Sequence, residues 1–146
     1  MTNHKAINIL IAEDDEEDRM LTKDALKESL LVNRVDFVEN GEELMDYLNN
    51  KGPYSDKQKF PLPGLILLDL NMPKKDGREA LKEIKSDPLL KKIPVVVLTT
   101  SKAEEDILRT YDLGVNSFIT KPVSFNEMVN VMKALGKYWL EIVELP

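Results

Sequence analysis

One pattern constrains this chain more than any other. Short, nearly all-apolar runs alternate with stretches of helical periodicity, five times over, between residues 6 and 137. Residues 6–12 hold Ile7, Ile9, Leu10 and Ile11, and residues 64–69 and 93–99 are equally apolar. Runs of this length and density read as strands buried on both faces, not as half-exposed strands with polar alternation. Residues 34–39, with Val35, Phe37 and Val38, and residues 117–120 are two weaker strands. Between them lie five helical segments. Residues 15–31 place Met20 or Leu21, Ala25, Leu26 and Leu30 at helical spacing. Asn40 or Gly41 opens a segment with Leu44, Tyr47 and Leu48; Asp76 or Gly77 opens one with Ala80, Leu81 and Ile84 that closes before Pro88. Residues 103–112 form a fourth, ended near Gly114, and residues 124–137 a fifth, with Glu127 three residues after Ser124 in capping-box spacing. Strict alternation predicts an α/β domain, a parallel sheet with helices on both faces and right-handed crossovers. Residues 49–63, with Gly52, three prolines and three lysines, read as a connection long enough to be functional or mobile.

With 146 residues the chain fits one domain; no internal repeat or output module is discernible, and residues 138–146 read as a C-terminal extension to a domain spanning residues 1–137. The chain has no cysteine, which excludes thiol catalysis, disulfides and cysteine metal sites. Its lone histidine, His4, precedes the first strand and reads as a solvated residue. A formal net charge of -6 makes nucleic acid a poor partner. The apolar runs are too short to span a bilayer and the N-terminal residues lack a signal pattern, so a cytoplasmic, membrane-free protein is expected.

The chemistry-bearing residues fall at strand ends. A parallel sheet points all its strand carboxyl ends to one edge, where ligands bind. That edge receives Glu13 and Asp14, Asp69, Thr99 and Lys121. Three carboxylates held close repel one another, and a hard oxygen-seeking cation such as Mg²⁺ relieves the repulsion. The Asn71 carbonyl supplies a further oxygen. An aspartate can act as a nucleophile toward phosphorus, with a lysine and a hydroxyl steadying the phosphoryl oxygens.

The segments IAEDD (11–15), LILLDLNMPKKDG (65–77), PVVVLTTS (94–101) and SFITKP (117–122) together resemble the signature segments of response-regulator receiver domains. The resemblance spans residues 6–137. It implies a flavodoxin-like (βα)5 fold with five parallel strands ordered 2-1-3-4-5. It implies Asp69 as phosphoacceptor for a histidine kinase, and Mg²⁺ held by Glu13, Asp14, Asp69 and the Asn71 carbonyl. It further implies that Thr99 and Lys121 contact the phosphoryl group, and that Thr99 and Phe118 form a switch that rearranges the fourth helix, fifth strand and fifth helix. Phe118 stands where the family often has tyrosine, which removes a hydroxyl from that switch. The 49–64 loop, the 69–79 and 93–101 segments and the tail YWLEIVELP (138–146) are most similar to small stand-alone regulators of bacterial and cyanobacterial phytochromes. Such a protein is a signalling phosphoacceptor, not a metabolic enzyme.

Plainer readings stand beside these. The run 13–18 would also serve as an acidic helix start, Asp69 as a cap, Thr99 as an ordinary strand residue and Lys121 as a surface lysine. Asp76-Gly77 reads as a turn and helix start. Asn71 and Ser101 fit equally as turn residues or as positions that tune dephosphorylation. A haloacid-dehalogenase-type phosphatase would need an acid two residues beyond its nucleophile, where this chain has Asn71. A flavodoxin-like cofactor binder would meet repulsion from Glu13, Asp14 and Asp15 at its phosphate loop. A silent receiver kept as a scaffold would not need the full acid, hydroxyl and amine set.

In the last helix, Phe125, Met128, Val129, Met132 and Leu135 form a core-facing stripe. Val131, Tyr138, Trp139, Ile142 and Val143 are surplus to it. That surplus is expected to mediate a homodimer, the alternative being packing on the domain's own surface.

Overall fold

The computed structural model describes residues 7–29, 32–70, 77–99, 117–120 and 124–142. The order of elements is β1 (Ile7–Ala12), α1 (Glu16–Ser29), β2 (Val32–Val38), α2 (Gly41–Leu48), β3 (Leu65–Asp69), α3 (Gly77–Ser86), β4 (Val95–Thr99), β5 (Ser117–Thr120) and a C-terminal helix (Phe125–Ile142). Short 3₁₀ turns at Gly52–Tyr54 and Leu90–Lys92 precede β3 and β4. The expected fourth helix, over residues 103–112, lies outside the described residues.

All strand pairings are parallel, and the sheet order is β2-β1-β3-β4-β5. The middle strand explains why. Every residue of β3, LILLD, is buried, so both of its faces must be covered. Two hydrophobic clusters do this. Leu10, Ala12, Ile66, Leu68, Val95 and Val97 pack under α2 and α3. Ile9, Ile11, Leu65, Leu67 and Val96 pack under α1 and the C-terminal helix. Alternate residues of one strand therefore serve opposite cores. Each fully buried Leu or Ile contributes on the order of 1.5–3 kcal/mol.

Helix starts are fixed by side-chain caps. The Asp15 Oδ1 accepts from the Asp18 N–H at 2.9 Å, and Asn40 Oδ1 accepts from Glu43 N–H at 2.8 Å. The Ser124 Oγ accepts from the Glu127 N–H at 3.2 Å. Each satisfies a backbone donor that the first helical turn leaves without an intrahelical partner.

Among the described residues, boundaries differ from the sequence reading by two residues or more in three places. Strand β2 begins two residues earlier than expected, at Val32, and β4 two residues later, at Val95, because Leu90–Lys92 closes a 3₁₀ turn ahead of it. The C-terminal helix does not stop at Lys137 but continues to Ile142, so Tyr138, Trp139 and Ile142 belong to a helix and not to a separate tail. Within that helix, Met128 and Met132 are buried as expected, whereas Phe125 is 40% exposed. Val131, expected to be surplus, packs partly against the core on the α1 side.

The 49–63 connection is tied down, not loose. Tyr47, Tyr54 and Phe60 form an aromatic trio with ring centroids 5.1–5.7 Å apart. The Tyr47 hydroxyl bonds Asp36 Oδ2 and the Pro61 carbonyl. The Asn50 side-chain amide donates to the carbonyls of Tyr54 and Phe60 at 2.9 and 3.0 Å, closing the loop on itself. Asn50 and Gly52 both take positive φ, the backbone reversal that lets the chain leave α2 and turn back.

Candidate phosphoryl and cation site

The site is built by register. Ala12 pairs with Leu68 across β1 and β3, so the next residues along, Glu13 and Asp69, leave the sheet side by side. Asp69 in turn pairs with Leu98 of β4, which places the backbone of Thr99 one step further along the adjacent strand. Thr99 pairs with Thr120, the residue before Lys121. Parallel strands make this convergence unavoidable, because all four carboxyl ends share one edge.

Carboxylate oxygens of Glu13, Asp14 and Asp69 lie within 4.8 Å of one another. Glu13 and Asp69 are buried, at 1% and 3% exposure, and Asp14 faces solvent. Two buried acids beside a third are costly without a counter-charge. The donor set is oxygen only, and the spacing is on the scale at which a divalent cation bridges its ligands (about 4 Å between opposite oxygens around Mg²⁺). The three acids thus fit a hard divalent cation, with one side open to solvent at Asp14.

The turn that carries Glu13 and Asp14 is held from several sides. The Glu13 N–H donates to the Val38 carbonyl at 2.9 Å. The Asp15 N–H donates to Glu13 Oε2 at 3.3 Å. Arg19 donates from Nη1 to the carbonyls of both Glu13 and Asp14, each at 3.0 Å. Sequence reasoning passed over Arg19; its signal is a cation one helical turn into α1, within reach of the turn before it. Below Asp69, the Gly77 N–H donates to the Leu70 carbonyl at 3.1 Å and closes the connection between β3 and α3.

Of the residues expected at the site, the structure brings Glu13, Asp14 and Asp69 together and sets the Thr99 backbone on the strand beside Asp69. Phe118 lies in β5, paired with Val97. Asn71, Lys121 and Val143 lie outside the described residues, as does Ser101.

Residues 9–133 match the response regulator receiver domain family. The chain belongs to that family. This receiver is 44% identical over 138 residues to the response regulator Rcp1 of a Synechocystis species, covering 94% of this chain and 92% of Rcp1. Among solved structures it resembles the phosphorylated cyanobacterial phytochrome response regulator RcpA, with 46% identity and a TM-score of 0.84 over 96% of this chain and 98% of RcpA. It also resembles the Mn²⁺-bound form of Rcp1, with 43% identity and a TM-score of 0.81 over 96% of this chain and 99% of that one. Among the described residues no helix is long and apolar enough to cross a membrane.

Proposed function

We propose that this receiver is a phosphorelay regulator that takes a phosphoryl group from a histidine kinase onto Asp69, and that it does so with Mg²⁺. The observation that carries the reading is the convergence of Glu13, Asp14 and Asp69 at the carboxyl edge of a parallel sheet. In the transfer, a carboxylate oxygen of Asp69 attacks phosphorus, a P–O bond forms, and the P–N bond to the donor histidine breaks with its electron pair retained on nitrogen. Mg²⁺ supplies positive charge that offsets the carboxylate repulsion and the charge on the phosphoryl oxygens. Glu13, Asp14, Asp69 and the Asn71 carbonyl hold it. Lys121 neutralises one phosphoryl oxygen and Thr99 donates a hydrogen bond to another.

The biological product is a conformational state. Thr99 and Phe118 couple the phosphoryl group to the face formed by the fourth helix of the complete (βα)5 unit, β5 and the C-terminal helix. The receiver passes its signal by contact, through that face. A homodimer forms through the end of the C-terminal helix and the residues after it, with Tyr138, Trp139, Ile142 and Val143. The likeness to the phytochrome response regulator RcpA supports a phytochrome-type kinase as donor. The net charge of -6 speaks against a nucleic-acid partner, and the setting proposed is cytoplasmic and away from membranes. Self-phosphorylation and self-dephosphorylation are its only chemistry.

The test is transfer from a phosphorylated histidine kinase. Wild type takes up the label with Mg²⁺ present, and Asp69→Asn takes up none. Equal labelling of the two proteins contradicts the assignment.

A further inference from the structure

We propose that Arg19 is a positioning residue for the acidic pair: its guanidinium fixes the main chain at Glu13 and Asp14 so that both carboxylates aim at Asp69. This rests on the reading of the three acids as a divalent-cation site.

The geometry is that of a clamp. One nitrogen, Nη1, donates to the Glu13 and Asp14 carbonyls at 3.0 Å each. The other, Nη2, sits 3.5 Å from Glu39 Oε1 at the end of β2. The Arg19 side chain is only 19% exposed, against 62% for Glu39, so the guanidinium is held down on the turn while its acid partner remains in water. Its own N–H donates to the Asp15 carbonyl at 2.9 Å, which anchors the clamp in the first turn of α1. Three consecutive carbonyls, those of Glu13, Asp14 and Asp15, thus accept hydrogen bonds from one residue.

The consequence for the acids follows from peptide geometry. A carbonyl and the next Cα move as one planar unit. Holding both carbonyls toward α1 fixes the directions in which the Glu13 and Asp14 side chains leave the backbone. Without the guanidinium, both carbonyls lose the Nη1 donor they share, and the turn is held less firmly.

Charge and position predict opposite outcomes. A guanidinium near a dication repels it, so if charge alone mattered, removing Arg19 would tighten cation binding. If positioning matters, removing it weakens binding. Lysine can offer N–H donors to the carbonyls, but its flexible ammonium lacks the planar, pre-organised fork that aims them, so it recovers only part of the effect.

The experiment is Mn²⁺ titration of the full chain followed by electron paramagnetic resonance, with thermal unfolding measured on the same samples. Arg19→Ala is expected to weaken Mn²⁺ binding by roughly tenfold or more, the range found when groups that orient metal ligands are lost. Arg19→Lys falls between Ala and wild type. Glu39→Gln, which leaves the carbonyl contacts in place, stays within about twofold of wild type, as expected for an exposed ion pair. Unchanged or tighter Mn²⁺ binding in a folded Arg19→Ala overturns the proposal, whatever happens to its melting temperature. Should Arg19→Ala fail to fold, Arg19→Lys decides in its place: binding equal to or tighter than wild type overturns the clamp. A loss in Glu39→Gln as large as that in Arg19→Ala also overturns it, by assigning the effect to the ion pair. A folded wild type that binds no Mn²⁺ removes the cation-site reading itself, and the clamp with it.

Discussion

Gly77 approaches Asp69 so closely that a Cβ placed on it would stand 2.7 Å from the Asp69 carbonyl oxygen and 2.7 Å from Leu70 Cα. Both obstacles are backbone and cannot swing away. The need for glycine here is close approach, because Gly77 is not among the residues with positive φ. Gly77→Ala therefore has to push the turn that follows Asp69. We expect a loss of about 1–3 kcal/mol, the usual cost of overpacking, with slower uptake of phosphoryl from acetyl phosphate. Urea unfolding and labelling measured on one preparation check both parts. Wild-type stability in Gly77→Ala would contradict the tight packing.

Cation binding to the three acids should raise stability by linkage. A ligand present at about 100 times its dissociation constant adds about 2.7 kcal/mol when it binds only the folded chain. Wild type titrated with Mg²⁺ or Mn²⁺ should therefore unfold at higher urea concentration, and excess chelator should reverse the gain. In Asp69→Asn, one of three carboxylates is gone and the gain should shrink. Thermal or urea unfolding with and without metal measures it. An equal gain in both proteins would place the cation elsewhere.

Tyr47 supplies a pH signature. Its burial, reinforced by the neighbouring Asp36, pushes the phenol well above the ordinary tyrosine range. In the unfolded chain tyrosine ionises near pH 10, about its unperturbed value. The unfolded state thus releases this proton first, and the stability present below about pH 10 is lost as pH rises beyond it. Tyr47→Phe lacks that linkage, so its stability should fall less steeply above about pH 10. At neutral pH the same variant should be weaker by about 1 kcal/mol, through lost hydrogen bonds to Asp36 and Pro61. Tyr54 is also raised by burial and is present in both proteins, so a residual alkaline slope is expected. Urea midpoints measured across pH 8–11 check the difference in slope.

The long C-terminal helix bears on assembly. Because it runs unbroken to Ile142, Tyr138, Trp139 and Ile142 extend a rigid rod beyond the helical turns that carry Met128 and Met132. Trp139→Ala should weaken or abolish a dimer in sedimentation experiments while leaving phosphorylation intact. A monomer in both proteins would remove the interface.

What was legible in the sequence was whatever periodicity and residue chemistry encode locally. The β3 run LILLD announces a doubly covered strand, and its terminal Asp, a charge closing an apolar run at the carboxyl edge, marks a candidate site. Glu13 and Asp14 are legible by the same placement, just past the apolar run of β1. The cap at Ser124 was legible from spacing. Less visible was anything set by contacts between segments. Arg19 looks like one more charge on an amphipathic helix until the carbonyls beneath it are known. The Tyr47, Tyr54 and Phe60 trio is spread across a loop rich in turn residues, where no period links the three. The end of the last helix is not set by a local signal that the sequence reading uses: expected at Lys137, it lies at Ile142.

The most direct measurement is to treat the protein with acetyl phosphate in Mg²⁺ and locate the adduct by mass spectrometry after reductive trapping. One phosphoryl group on Asp69, absent when the metal is chelated and absent in Asp69→Asn, is the result predicted. Labelling that persists without a divalent cation, or that falls on any other residue, would contradict the account.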